Sequence, residues 1–237
     1  MAQTRSRAPA LDASELKELK EKLVTACRIL DREGVTDGYG HVSVRVPGAD
    51  AFITIANVSP GCATTERLIM QDFDGNYLDG AETPPNEWPI HACIFKARAD
   101  VESVAHTHSK WSTIFSVLPV KLRPIHHYGK FLSADGPPVY QGVGLVRTVE
   151  RGRELAAALG DAPAVLMRAH GDAVVGASVE QVIERTTRLA MLGEWNHLAL
   201  LHGEPRYLSS EELEVYNADQ RFPMRGWEYF VSRLDKT

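Results

Sequence analysis

His106-Thr107-His108 closes a segment in which Val101, Val104 and Ala105 read as a short buried β-strand. Successive strand residues point to opposite faces, so positions i and i+2 share one face. A chain built this way must present two imidazoles side by side from a rigid element. Such a pair suits a divalent cation. One H-x-H alone is a weak signal. Glu87 and His170 strengthen it, because together they supply three histidines and one carboxylate if the fold brings the segments together.

Helix and strand signals are interspersed along the rest of the chain. Asp12 or Ser14 caps a first helix whose apolar positions Leu16, Leu19, Leu23, Cys27 and Leu30 recur at helical spacing, and Gly34 ends it. His41 to Val46 alternates as a strand and pairs with Phe52 to Ile55 through a Pro47-Gly48-Ala49-Asp50 turn. Asp72-Phe73-Asp74-Gly75-Asn76 is a second strand-turn-strand signal. A helix starts at about Glu87 and runs to Lys96 or Ala97, and others cover Trp111 to Leu118, the stretch ending at Leu159, and Val179 to Leu201. Ala164 to Met167 is a buried strand, after which Gly171-Asp172 turns into Ala173-Val174-Val175. With no regular parallel βαβ rhythm, this order predicts a mixed α/β sheet flanked by helices.

Length and composition narrow the class. A chain of 237 residues is most simply one large domain, long enough to bury roughly 70% of its unfolded surface. Its net charge of −5 offers no basic patch for nucleic acid, and no apolar run approaches the roughly 18 residues of a membrane span. Met1 to Pro9 lacks an apolar core of the signal-peptide kind and reads as a frayed tail. Cys27, Cys62 and Cys93 are an odd set without C-x-x-C spacing. The expectation is reduced thiols and a cytoplasmic protein, with Cys27 and Cys93 buried in helices. The organisation expected is a flexible tail over 1–12, a catalytic domain over 13–205 and a helical extension over 206–237, the last a lid or an interface.

Each candidate residue has an ordinary alternative. A carboxylate at a helix start, such as Glu87, is favoured by the helix dipole in any protein, and a polar residue before a turn, such as His170, is unremarkable. His41 and Ser43 share one strand face and either line a substrate pocket or occupy a half-exposed strand. Arg123 offers bidentate recognition of a substrate carboxylate or is a surface residue. His91, one turn after Glu87, reads as a supporting or core histidine rather than a ligand, and His197 and His202 as surface or interface residues. Trp227, Tyr229 and Phe230 are most simply packing.

Taken in order, Gly40-His41-Val42-Ser43-Val44-Arg45, Pro85-Asn86-Glu87-Trp88-Pro89-Ile90-His91, His106-Thr107-His108 and Arg168-Ala169-His170-Gly171 resemble the class II aldolase/adducin family. The nineteen-residue step from Glu87 to His106 fits as well, and the resemblance spans about residues 15 to 202. It implies an α/β/α three-layer domain with a central, mostly antiparallel sheet, often assembled as a cyclic tetramer with sites between subunits. It implies a divalent metal on His106, His108 and His170, zinc first, with manganese, iron or cobalt as alternatives, and Glu87 as ligand or acid/base. A tyrosine near position 128 often reaches a neighbouring subunit's site as proton donor in this family, which makes Tyr128 the candidate and His127 the alternate.

The departures select a branch. The family's sugar-phosphate aldolases carry hydroxylated residues just before the glutamate, where this chain has Pro85 and Asn86, and Gly-Asn-Val-Ser where it has His41 in place of the amide. With the Cys62-Ala63-Thr64 segment and the aromatic C-terminal stretch, the chain is more similar to decarboxylases of hydroxylated aromatic or hydroxymuconate-type acids. Asn86, His41, Ser43 and Arg123 are then the substrate-binding candidates, and the substrate a small carboxylic acid. An aldolase acting on a small hydroxy-carbonyl compound is the alternative. A cupin-type dioxygenase fits poorly, because its glutamate follows the H-x-H and its fold lacks long helices. An adducin-like interaction module would be expected to lose the ligands retained here.

Overall fold

A computed structural model describes residues 11–218 and 225–234; most of the expected N-terminal tail lies outside them. The first helix, α1 (Ala13–Arg32), is fixed at its start by Asp12, whose carboxylate accepts from the Ser14 and Glu15 amides at 2.7 and 2.9 Å. Glu15 accepts in return from the Asp12 amide, satisfying donors that a helix start leaves orphaned. Its inner face buries Leu23, Ala26, Cys27 and Leu30.

The strands are β1 (His41–Arg45), β2 (Ala51–Ile55), β3 (Leu68–Asp72), β4 (Tyr77–Asp79), β5 (Ser103–Thr107), β6 (Val139–Tyr140), β7 (Ala164–Met167) and β8 (Gly171–Gly176). They form one sheet in the order β4-β3-β2-β1-β5-β8-β7-β6, antiparallel throughout except for the β6–β7 pair. The remaining helices are α2 (Trp88–Ala97), α3 (Lys110–Val117), α4 (Val149–Leu159), α5 (Val179–Leu200), α6 (Ser210–Asn217) and α7 (Arg225–Leu234). None of these is long and apolar enough to cross a membrane.

Two cores explain the layering. On one face of the sheet Phe52, Val104, Val165, Met167, Ala173 and Val175 pack with Ile90 and Ile94 of α2 and Leu155 and Leu159 of α4. On the other face Val42, Val44, Ile53, Ala105, Leu166 and Val174 pack with α1 and with Val182, Ile183 and Leu189 of α5. Central strands buried on both faces read as near-continuous apolar runs rather than alternating ones. At about 1.5–3 kcal/mol per fully buried large aliphatic or aromatic side chain, a sheet of this composition is stable only with helices on both sides.

The hairpin through Pro47–Asp50, the second through Phe73–Asn76, and Cys27 and Cys93 as buried thiols are as the sequence predicts. One segment differs. Gly171 and Asp172 are not a turn but the first residues of β8, with Asp172 paired to both Thr107 and Leu166. The turn is Arg168-Ala169-His170, closed by the His170 amide donating to the Met167 carbonyl at 3.0 Å, with Ala169 in the left-handed region at φ +55°. The two-residue β6 was not legible, being short and paired only at its parallel edge. In the C-terminal segment α7 packs on α1 and α5, burying Phe230, and Arg233 Nε donates to Glu33 at 2.6 Å.

Candidate metal centre

β5 lies between β1 and β8, so the H-x-H motif sits in the middle of the sheet. His106 is the fourth of its five residues and His108 follows the strand end. Two glycines permit the neighbouring chains to close on it. A Cβ on Gly40, at φ +110°, would lie 2.9 Å from the His106 carbonyl oxygen, and one on Gly171 would lie 2.0 Å from the Thr107 carbonyl oxygen. Neither position tolerates a side chain without moving backbone. Glu87 is the residue before α2, and His170 ends the β7–β8 turn.

These four side chains converge. One ligand-type atom from each of Glu87, His106, His108 and His170 lies within 4.8 Å of every other. Glu87 Oε2 stands 3.7 Å from His106 Nε2 and 3.4 Å from His170 Nε2, and the Nε2 atoms of His108 and His170 are 3.2 Å apart. His106 Nδ1–H donates to the Asp172 carbonyl at 2.7 Å, which leaves Nε2 as the lone-pair nitrogen. That Nε2 is buried and has no hydrogen-bond partner among the described residues. An orphaned, buried acceptor among two other imidazoles and a carboxylate is costly in itself and fits a divalent cation, which three nitrogens and one oxygen would bind.

Two of the four groups are clearly shifted, His108 toward the neutral imidazole and Glu87 toward the ionised carboxylate. Burial, reinforced by His106 and His170, pushes His108 down to about 4. Burial opposes ionisation of Glu87, but the facing His106 and His170 nitrogens outweigh it and hold the carboxyl well below its usual range. Its other oxygen accepts from the Val146 amide at 2.6 Å. A backbone donor of this kind has no sequence signal, and neither it nor the Asp172 carbonyl is foreseeable from residue type. Asp172 itself is pushed up by burial, partly countered by the Thr107 hydroxyl, which donates to it at 2.9 Å. At the outer side Tyr39 stacks on His108 with ring centroids 5.9 Å apart.

The other candidates separate into two groups. His41 is cross-strand partner to His106, with ring centroids 5.0 Å apart, and is 8% exposed. Ser43 faces the same way but is fully buried, and its Oγ lies 2.6 Å from His91 Nδ1. His91 is likewise fully buried, held between Ser43 and His41, and burial pushes it down to about 3. Asn86 is exposed beside Glu87. Arg123, His127 and Tyr128 lie elsewhere in the same chain. Arg123 Nε donates to the Ala134 carbonyl and its guanidinium covers Tyr207, while Tyr128 packs against Trp195 under the Arg188 guanidinium, with His127 beside it. His197 rests on Trp111.

Comparison with known proteins meets this geometry. Residues 21–196 match the class II aldolase and adducin N-terminal domain. The 3,4-dihydroxyphthalate decarboxylase of Arthrobacter keyseri is 34% identical over 179 residues, 69% of this chain and 71% of that protein. Decarboxylase tropJ of Talaromyces stipitatus is 30% identical over 245 residues, covering 90% of this chain and 92% of the relative. An aldolase II superfamily protein from Pseudomonas syringae superposes with a TM-score of 0.81 at 26% identity, over 92% of each chain.

Proposed function

The chain belongs to the class II aldolase and adducin family, and within it we propose a metal-dependent, non-oxidative decarboxylase of a hydroxylated aromatic acid. Hydroxymuconate-type acids make similar demands and form the neighbouring substrate class. The observation that carries the reading is the cluster of His106, His108, His170 and Glu87 around the partnerless His106 Nε2. The likeness to a 3,4-dihydroxyphthalate decarboxylase, together with Pro85, Asn86 and His41 at positions where a phosphate pocket would need other groups, supports carboxylate loss over sugar-phosphate cleavage.

A divalent cation held there, zinc in our proposal, would supply Lewis-acid charge to substrate oxygens where electron density develops. Three neutral imidazoles would leave its charge undiminished, with Glu87 able to serve as a fourth holding group. Loss of carbon dioxide breaks one carbon–carbon bond and leaves the electron pair on the ring carbon, so one proton must be delivered there and no electron acceptor is needed. Glu87, steadied by the Val146 amide, would serve either as a ligand of that cation or as the acid/base within the cluster. Tyr128, with His127 as alternate, would act from a neighbouring copy, since in its own chain it packs against Trp195 and Arg188. A homotetramer is the assembly that supports this arrangement, with Arg123 and Asn86 as carboxylate-binding groups at its sites.

The test is carbon dioxide release from ortho-hydroxy aromatic and hydroxymuconate-type acids, using metal-stripped protein reconstituted separately with zinc, manganese and iron. Metal-dependent release from one acid, without cleavage of sugar phosphates, is the expected result. Aldehyde formation without carbon dioxide would return the chain to the aldolases.

A further inference from the structure

Behind His106 runs a hydrogen-bonded chain that the metal cluster does not use. Ser43 Oγ lies 2.6 Å from His91 Nδ1, and His91 Nε2 lies 2.5 Å from His41 Nδ1. Ser43 and His91 are both 0% exposed. Two orders of protons satisfy such a chain. In one, the Ser43 hydroxyl donates to His91 Nδ1, His91 Nε2–H donates to His41 Nδ1, and the remaining His41 proton sits on Nε2. In the other, every bond is reversed and His41 Nε2 is a bare acceptor.

The two orders differ at Ser43. Among the described residues its Oγ has no hydrogen-bond partner other than His91, so the reversed order strands a hydroxyl proton in a fully buried site. The first order leaves no donor unpaired, and a buried donor without a partner carries its full desolvation cost. At the far end, His41 is 8% exposed, and among the described residues the buried side-chain nitrogens lacking a partner are His106 Nε2 and His170 Nδ1, not His41 Nε2. Of the two His41 ring nitrogens, Nε2 is the one not committed to His91, and the ring lies beside that of His106, centroids 5.0 Å apart.

We propose that Ser43 and His91 are positioning residues that fix His41 as an Nε2–H donor beside the metal cluster, where it binds an anionic oxygen of the substrate. The anion's identity rests on the decarboxylase reading; the proton order does not. A donor at that point favours substrates with a second negative oxygen next to the one directed at the cluster, such as a vicinal carboxylate. It disfavours groups that only donate, since a fixed donor cannot serve them.

Neutron diffraction from deuterated, zinc-loaded protein reads the order directly. Deuterons on His91 Nε2 and His41 Nε2, with the Ser43 hydroxyl aimed at His91 Nδ1, are expected; a deuteron on His91 Nδ1 with His41 Nε2 bare overturns the proposal. In the enzyme, His41→Ala should raise KM for 3,4-dihydroxyphthalate about tenfold or more, as loss of one hydrogen bond to a charged group requires, with zinc content unchanged. His41→Asn should restore it, because its carboxamide oxygen accepts from His91 and its NH2 group donates outward. Ser43→Ala makes the two proton orders comparable. Halving the competent population should roughly double KM with kcat retained. An unchanged KM in both His41→Ala and Ser43→Ala would overturn the binding role. If no acid is decarboxylated but the deuterons lie as expected, the function assigned to the site fails while the proton order stands.

Discussion

Replacing Gly171 by alanine tests whether close approach of β8 to β5 builds the cluster. The added Cβ would stand 2.0 Å from the Thr107 carbonyl oxygen and 3.1 Å from His108 Cα, both backbone atoms that cannot rotate aside. An ordinary carbon–oxygen contact is about 3.3 Å or more, so the strands must part by about 1.3 Å. The bond from His106 Nδ1–H to the Asp172 carbonyl, now 2.7 Å, would open to roughly 4 Å if it absorbs the whole shift, beyond hydrogen-bond range. Overpacking of this kind costs about 1–3 kcal/mol and the stranded buried bond a similar amount. A total near 3 kcal/mol lowers Tm by about 6–12 °C at this chain length. The melt belongs in chelator, so that metal binding does not mask the loss, with zinc affinity measured separately by competition. The loosened His106 should weaken zinc about 10- to 100-fold. Ala169→Gly in the same turn is the control: relief of left-handed strain, about 1 kcal/mol, is offset by chain entropy of about 0.4–1 kcal/mol. A Gly171→Ala protein with Tm within about 1 °C of the parent and unchanged zinc affinity would refute the reasoning.

His106→Ala should lose zinc by roughly 10²-fold or more together with turnover, whereas His197→Ala, altered on Trp111, should keep both; equilibrium dialysis and a carbon dioxide assay separate the two. Native protein should show one fast thiol with a disulfide reagent at pH 8, Cys62, because Cys27 is buried and pushed up to about 12 and Cys93 is also raised by burial. Three fast thiols would contradict the packing of α1 and α2. Metal-free protein should lose stability on acidification. His91 stays neutral in the fold down to about 3 but takes a proton near 6.5 when unfolded. Its contribution is complete above pH 6.5 and lost as pH falls toward 3, by about 1.4 kcal/mol per unit at first. Urea melts at pH 7 and pH 5.5 that coincide would exclude a neutral buried His91.

Much of this protein is written in local pattern. The capped α1, both hairpins, the strand beneath His106 and the long α5 all follow from periodicity, turn residues and caps, which act over a few positions. The types at Glu87, His106, His108 and His170 were readable for the same reason, since metal chemistry restricts which side chains serve. Gly171-Asp172 was misread because a glycine before an acid resembles a turn, while its actual use is to let β8 approach Thr107.

What the sequence could not decide is which of these segments meet. His106 faces His41 because β1 inserts beside β5, and faces Glu87 because α2 packs over that side of the sheet. His41 and Ser43 look equivalent at alternating positions, yet only His41 retains exposure, because the fully buried Ser43 packs beneath α2 against His91. Tyr128 and Arg123 sit a short way downstream of the H-x-H but are held against Trp195 and Tyr207 instead. Periodicity assigns a residue to a face. Which faces come together depends on strand order and layer packing, set by burying two apolar cores at once, and that is a property of the whole chain.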